Sequence, residues 1–292
     1  MKIVEREHID IHKWDDLVAL SKDATLFSLS HYLDAVAENW CILVDENYSK
    51  GIALPYSIRL GIKCLYTPIF SRYTELLGGI DSKDILSYLQ NYFPEANFSM
   101  RNSFSELKGK EFVFQELKEL KLNQQAKRML QKFQKADIEI KEVEEINGLV
   151  LYIEKELSEK VAVFDSASSS KMIDLVNSLK KQGVLKAFGF FEETKLVGGM
   201  LFLTFNNRVV YLKGAANATS KAKGVMYACM NNEIKEALAS SKIFDFGGSR
   251  IEGVKRFNHS FGSADVVYYN YEWHMGPLWF KAIKGMRNLW IK

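Results

Sequence analysis

Two hydrophobic periods alternate along the first half of the chain. Apolar positions at helical spacing predict helices over 11–20, 30–38 and 83–92, the second carrying Tyr32, Leu33, Val36 and Ala37. Short apolar runs predict strands over 40–44, 51–56, 63–66 and 97–101. A clear amphipathic helix follows over 122–133. Ala126, Met129, Leu130 and Phe133 form its apolar stripe, and Asn123 is placed to cap it. Lys127, Arg128, Lys132 and Lys135 leave its other side basic. The alternating stretch 138–143 then reads as a strand.

The second half has a sharper pattern. Helices are predicted over 149–157 and 169–181. Strands follow over 184–191, 196–205 and 209–214, separated by turns at 192–195 and 206–207. A helix over 224–240 stacks Met226, Met230, Ile234, Ala237 and Leu238 on one side. A strand over 243–246 ends in Gly247, Gly248 and Ser249. A short helix over 252–259 and an alternating strand over 264–271 close the unit. This order predicts an α/β fold with a mixed sheet, not a regular βαβ series. The first half carries a fainter version of it. The expectation is a duplicated unit with a boundary near 145–148, giving domains 1–145 and 146–292.

Composition narrows the function classes. The chain has 292 residues and 47% hydrophobic content, enough to bury full cores without disulfides or metals. Its 39 basic and 36 acidic residues leave a net charge of +3, too balanced to demand nucleic acid. The three cysteines, Cys41, Cys64 and Cys229, show no pairing or metal-ligand spacing and suit a reducing compartment. The start has no apolar stretch of signal-peptide type, and no run reaches the roughly 18 apolar residues of a membrane span. Together these features predict a cytoplasmic protein. The aromatic and basic tail 278–292 suits either a helix docked on the core or contact with a membrane surface. His8 and His12 lie four apart with no carboxylate pattern beside them, so no metal is expected.

Three segments could carry chemistry. The loop 214–224 joins a strand to a helix start, where backbone N–H groups and the helix dipole favour anions. Lys221 and Lys223 add charge there, although a solvated loop would look the same. In Phe244-Asp245-Phe246-Gly247-Gly248-Ser249, Asp245 faces away from its aromatic neighbours. It could orient a substrate amine, or it could be a buried acid satisfied by backbone. In 253–262, Val254, Phe257 and Phe261 read as core. Lys255, Arg256, Asn258 and His259 face elsewhere, toward an anion or toward solvent.

At Phe244 to Ser249, followed by Gly253-Val254 and Phe257-Asn258-His259-Ser260-Phe261-Gly262, the sequence resembles the FemAB/FemX-like branch of the GNAT (acyl-CoA N-acyltransferase) superfamily. Tyr211-Leu212-Lys213-Gly214-Ala215, the basic helix 123–135, Phe27 to Leu33 and Pro68 to Tyr73 add to the resemblance, which covers most of the chain. It implies tandem GNAT-like domains with a mixed α+β sheet and a cleft between them. It implies an acyl- or aminoacyltransferase acting on an amine of a cell-envelope or small-molecule acceptor, such as a peptidoglycan precursor. No permanently bound cofactor is implied. The donor would be acyl-CoA or an aminoacyl-tRNA, with tRNA then a partner. Lys213, Asp245 and Asn258 would be catalytic. Arg72, Tyr73, Tyr211, Gly247, Gly248, Ser249, Lys255 and Arg256 would bind substrate.

Two departures stand out. Lys221-Ala222-Lys223-Gly224-Val225-Met226 keeps one glycine of the family's Arg/Gln-x-x-Gly-x-Gly/Ala loop. Asn258 stands where the peptidoglycan branch has the lysine of Phe-Lys-x-x-Phe, and a neutral amide cannot act as a base. A cationic group would then come from Lys255, Arg256 or Lys213. The rival readings are a non-catalytic binding protein of degenerate GNAT-like fold, and a membrane-surface enzyme suggested by Trp279, Phe280 and Trp290.

Overall fold

A computed structural model describes residues 1–22, 24–158, 166–248, 251–280 and 282–283. In chain order its elements are β1 (Lys2–Glu5), α1 (Ile11–Leu20), α2 (Ser30–Val36), β2 (Asn39–Val44), β3 (Gly51–Arg59), β4 (Ile62–Tyr66), α3 (Leu86–Tyr92), β5 (Glu95–Met100), β6 (Lys110–Leu117), α4 (Gln124–Phe133) and β7 (Glu139–Glu142). Then come α5 (Asn147–Ser158), α6 (Ser166–Lys181), β8 (Leu185–Glu192), β9 (Lys195–Phe205), β10 (Arg208–Ala216), α7 (Ala218–Ala222), α8 (Val225–Ala239), β11 (Ile243–Asp245), α9 (Glu252–His259) and β12 (Ala264–His274).

The chain forms two compact units. One comprises Met1–Phe112 and Val267–Lys292, the other Val113–Val266. Each repeats one scheme. In the first, β1-β2-β3-β4 form an antiparallel meander, α3 crosses over, and β5 pairs parallel to β4. In the second, β7-β8-β9-β10 form the meander, α8 crosses over, and β11 pairs parallel to β10. The sixth strands are exchanged. β6 follows β5 in the chain but pairs with β11, and β12 follows β11 but pairs with β5. The expected boundary near 145–148 therefore falls inside the second unit, where the link after β7 enters the first residues of α5. The fold is a mixed α/β duplication, as the patterning of the two halves implies.

Each unit has its own core. In the first, Cys41, Leu43, Ile52, Leu54, Leu89, Phe93, Phe98 and Tyr271 are buried together. In the second, Phe190, Met200, Phe202, Val225, Met230, Ile234, Phe244 and Phe261 are. The amphipathic α4 forms where predicted. The Asn123 side chain accepts from the Ala126 N–H at 2.9 Å, satisfying one of the orphan donors of its first turn.

Small residues set how closely α5 approaches the second sheet. A Cβ on Gly199 of β9 would lie 2.3 Å from the Leu149 side chain of α5. Its neighbour Met200 belongs to the core shared with α8. Successive strand residues face opposite ways, so α5 and α8 cover opposite faces of this sheet.

Candidate functional site

The site is built where β10 and β11 part. They pair in parallel over only three positions, Arg208–Ile243, Val209–Phe244 and Val210–Asp245. β10 continues beyond them to Ala216, still paired with β9 on its other edge. After Asp245 the chain turns aside through Gly247, whose φ is 72°. Tyr211–Ala216 therefore presents a strand edge with no strand pairing among the described residues on the β11 side. Backbone N–H groups on such an edge are ready donors for a ligand carbonyl.

A bulge re-aims the side chains along this edge. Tyr211 opposes Phe202 and Lys213 opposes Leu201, so Leu212 is an extra residue in β10. Without it, Tyr211 and Lys213 would share a face. With it, Tyr211 packs into the α8-side core, its ring 5.6 Å from that of Phe202. Burial pushes its phenol well above the ordinary tyrosine range. Lys213 turns to the opposite face and meets Glu154 of α5, with Nζ 3.4 Å from Oε1.

This pair is nearly dry, its side chains only 10% and 6% exposed. Burial lowers the Lys213 pKa, and Glu154 opposes that shift. Glu154 Oε2 is buried and has no hydrogen-bond partner among the described residues. A buried carboxylate with an unused lone pair is costly unless a further donor arrives. Glu154 escapes sequence reading because α5 looks like an ordinary amphipathic helix. Its signal is an acid within the buried stripe Leu149, Val150, Ile153 and Glu154.

α8 starts beside the same edge, two short steps after β10 ends. Asn217 caps α7 by accepting from the Ser220 N–H at 2.8 Å. Gly224 then adopts φ 91° as the N-cap of α8 and, having no side chain, supplies no side-chain cap to its first turn. A Cβ there would lie 2.2 Å from the Met129 carbonyl oxygen of α4. The single glycine retained in this loop thus allows α4 to close on the α8 start. Lys223 is tied to Glu192 at 2.7 Å.

The other predicted residues are placed differently. Asp245 is fully buried. It accepts from Gly247 N–H at 2.8 Å and pairs with Arg208 at 3.2 Å, and Arg208 also holds Glu116 of β6. Its carboxylate pins the end of β11 between its neighbours. Asp245→Asn should destabilise the protein by about 3 kcal/mol, because it leaves the buried Arg208 undercompensated. Urea unfolding would read this as a lower midpoint.

Asn258 is also fully buried and donates to Gln115 Oε1 at 3.0 Å. Gln115 in turn donates to Asp265 at 2.9 Å, and Lys255 pairs with Asp265 at 2.8 Å. His259 Nε2 lies 3.3 Å from the same carboxylate. Asp265 is thus a hub that docks α9, and Arg256 of that helix is exposed. Gly248 is exposed and Ser249 lies outside the described residues. Arg72 and Tyr73 belong to the first unit. The Arg72 guanidinium lies over the Phe27 and Tyr73 rings at 5.7 and 5.6 Å, and Tyr73 is buried.

Among the described residues no group of three or more His, Cys, Asp or Glu could hold a metal, and no helix is long and apolar enough to cross a membrane. Neither a protein-family model nor a curated protein matches the sequence. Solved structures do match. FemX aligns over 94% of this chain and 98% of its own, with TM-score 0.62 at 11% identity. The fold is FemX-like. A tandem GNAT protein from the clavulanic acid biosynthesis pathway aligns over 94% and 99%, with TM-score 0.55 at 8% identity. L-PGS from Bacillus licheniformis aligns over 92% and 98%, with TM-score 0.55 at 11% identity. At these identities the likeness is one of fold.

Proposed function

We propose that this chain transfers an acyl or aminoacyl group to an amine, using the open edge of β10 and the Lys213–Glu154 pair. The observation that carries the reading is the bulge in β10, which sets a dry Lys–Glu pair at the strand edge left open by β11. The edge N–H groups would hold the donor carbonyl and stabilise the oxyanion of the tetrahedral intermediate. Glu154 Oε2 would take the proton of the acceptor ammonium. The amine nitrogen then bonds to the carbonyl carbon, and the carbonyl's bond to sulfur or ester oxygen breaks. Lys213 gives a proton to the departing thiolate or alkoxide, and its neutral amine takes the second nitrogen proton as the amide forms. The uncapped start of α8 suits an anionic part of the donor. Low surrounding polarity strengthens each of these interactions.

The donor would be acyl-CoA or an aminoacyl-tRNA, and the acceptor a small amine or a peptidoglycan precursor. The FemX, tandem GNAT and L-PGS likenesses support the reaction class and do not choose between donors. One observation favours a non-catalytic binding protein instead. The residue at the family's lysine position, Asn258, is sealed against Gln115. Thermal-shift titration separates the two readings. Transfer predicts stabilisation by acetyl-CoA, a longer acyl-CoA or a non-hydrolysable aminoacyl-tRNA analogue. It also predicts that Glu154→Gln retains this binding while losing turnover. Stabilisation by none of these donors would sink the transferase reading.

A further inference from the structure

A cavity lies in the Val113–Val266 unit, toward the other end of α8. It measures about 230 Å³, room for seven or eight waters at about 30 Å³ each. Glu233, Glu236, Ala237 and Ser240 line it from α8, at the i, i+3, i+4, i+7 spacing of one helix face. Lys186, Thr204 and Val209 line it from the ends of β8, β9 and the start of β10, and Lys242 closes one side. The open edge of β10 begins after Val210, while Val209 is still paired to Phe244. The 15 residues of α8 place its two ends about 22 Å apart. This cavity is therefore separate from the transfer site.

Its charges are unusual. Glu233 is only 5% exposed, and no hydrogen-bond donor among the described residues serves its carboxylate. Lys186 is taken by Glu236. Lys242 has no acidic partner among the described residues. The lining thus offers an acid that accepts no hydrogen bond among the described residues, with Lys186 near it, and a base with no acidic partner among them, together with Thr204, Ser240, Val209 and Ala237. The Glu233 carboxylate opens onto the cavity, where a cationic ligand would pair with it in less polar surroundings than bulk water.

We propose that this cavity binds a small zwitterion of the α-amino acid class, with its ammonium on Glu233 and its carboxylate on Lys242. The surrounding ionisable groups are Lys186, Lys242, Glu236, Glu142 of β7 and the Cys229 thiol one turn back on α8. Burial raises the Glu233 pKa to about 7. Lys186 opposes that shift, and Glu236 and Glu142 add to it. Binding should therefore strengthen as pH rises through about 7. Without ligand the sign is opposite. The folded protein holds a proton on Glu233 that the unfolded chain releases near 4.5, so stability falls as pH rises from there to about 7.

Calorimetric titration of the full chain at pH 8 tests this with matched probes: leucine, isoamylamine and 4-methylpentanoate. Leucine should bind. Isoamylamine and 4-methylpentanoate should each bind at least about tenfold more weakly, since each leaves one charge unmet. Glu233→Gln should weaken leucine by at least about tenfold while raising the Tm of the empty protein at pH 8, which shows that it folds. Lys242→Met should weaken leucine and leave isoamylamine unchanged. No leucine binding, equal binding of leucine and isoamylamine, or unchanged affinity in Glu233→Gln would each overturn the proposal. It does not rest on the transferase reading, because Lys213→Met should leave leucine affinity intact.

Discussion

Replacing Lys213 by Met should cut acyl or aminoacyl transfer by about 10²–10³-fold, the scale seen when one charge-stabilising donor is removed from a reaction site. Glu154→Gln should cost about 10²–10⁴-fold, as expected for a lost general base. The two losses should not add, because both remove one proton relay. Stability should follow a different pattern. Lys213→Met leaves the Glu154 carboxylate buried without its cation and should cost about 3–5 kcal/mol. Combining it with Glu154→Gln should recover most of that stability and none of the activity. The pH profile adds a signature that a purely structural lysine would not give. Because burial holds the Lys213 pKa below its ordinary 10.5, the alkaline limb of the rate should fall below that value. The limb should vanish in Lys213→Met. Wild-type transfer rates in Lys213→Met would remove the pair from the mechanism.

Gly224→Ala should produce the largest stability change of any single methyl added to the second unit. The position has φ 91°, where an L side chain costs about 1–2 kcal/mol, and the new Cβ would press 2.2 Å from the Met129 carbonyl. Moving α4 off the start of α8 adds about 1–3 kcal/mol of lost packing. Together these give about 2–5 kcal/mol, or roughly 4–20 °C in Tm for a protein of this size. Affinity for the acyl donor should fall in parallel, since the α8 start moves. Gly253→Ala is the matched control. Nothing lies within 4 Å of its added Cβ, and it sits inside α9, so it should stabilise by up to about 1 kcal/mol. Equal Tm values for the two variants would contradict the packing assigned to Gly224.

Much of this architecture can be read from hydrophobic period. The meander β8-β9-β10, the crossover α8 and the amphipathic α4 stand at or near the positions their patterns predict. The exchange of sixth strands is not legible, because pairing partners are set by tertiary contact and leave no mark on the linear pattern. β6 was absent from the predicted elements for a related reason. Its burial alternates only weakly, with Gln115 and Glu116 where a simple strand would be apolar or exposed. Those two residues are the partners of Asn258 and Arg208, so missing β6 also hid what Asn258 and Asp245 are for. The bulge at Leu212 escaped as well. Strand period alone would put Tyr211 and Lys213 on one face, and one extra residue separates them into a core aromatic and a site lysine. Glu154 was hidden by the same logic, since its partner lies 59 residues away in the chain.

The central claim is that the donor sits along the open edge of β10. Hydrogen exchange with and without saturating donor, drawn from the acyl-CoA and aminoacyl-tRNA analogue panel, tests it most directly. The amides of Tyr211–Ala216 and of the first turn of α8 should gain protection together, and more than any other segment of the Val113–Val266 unit. Binding that leaves those amides unchanged, or that protects only segments away from β10, would contradict it.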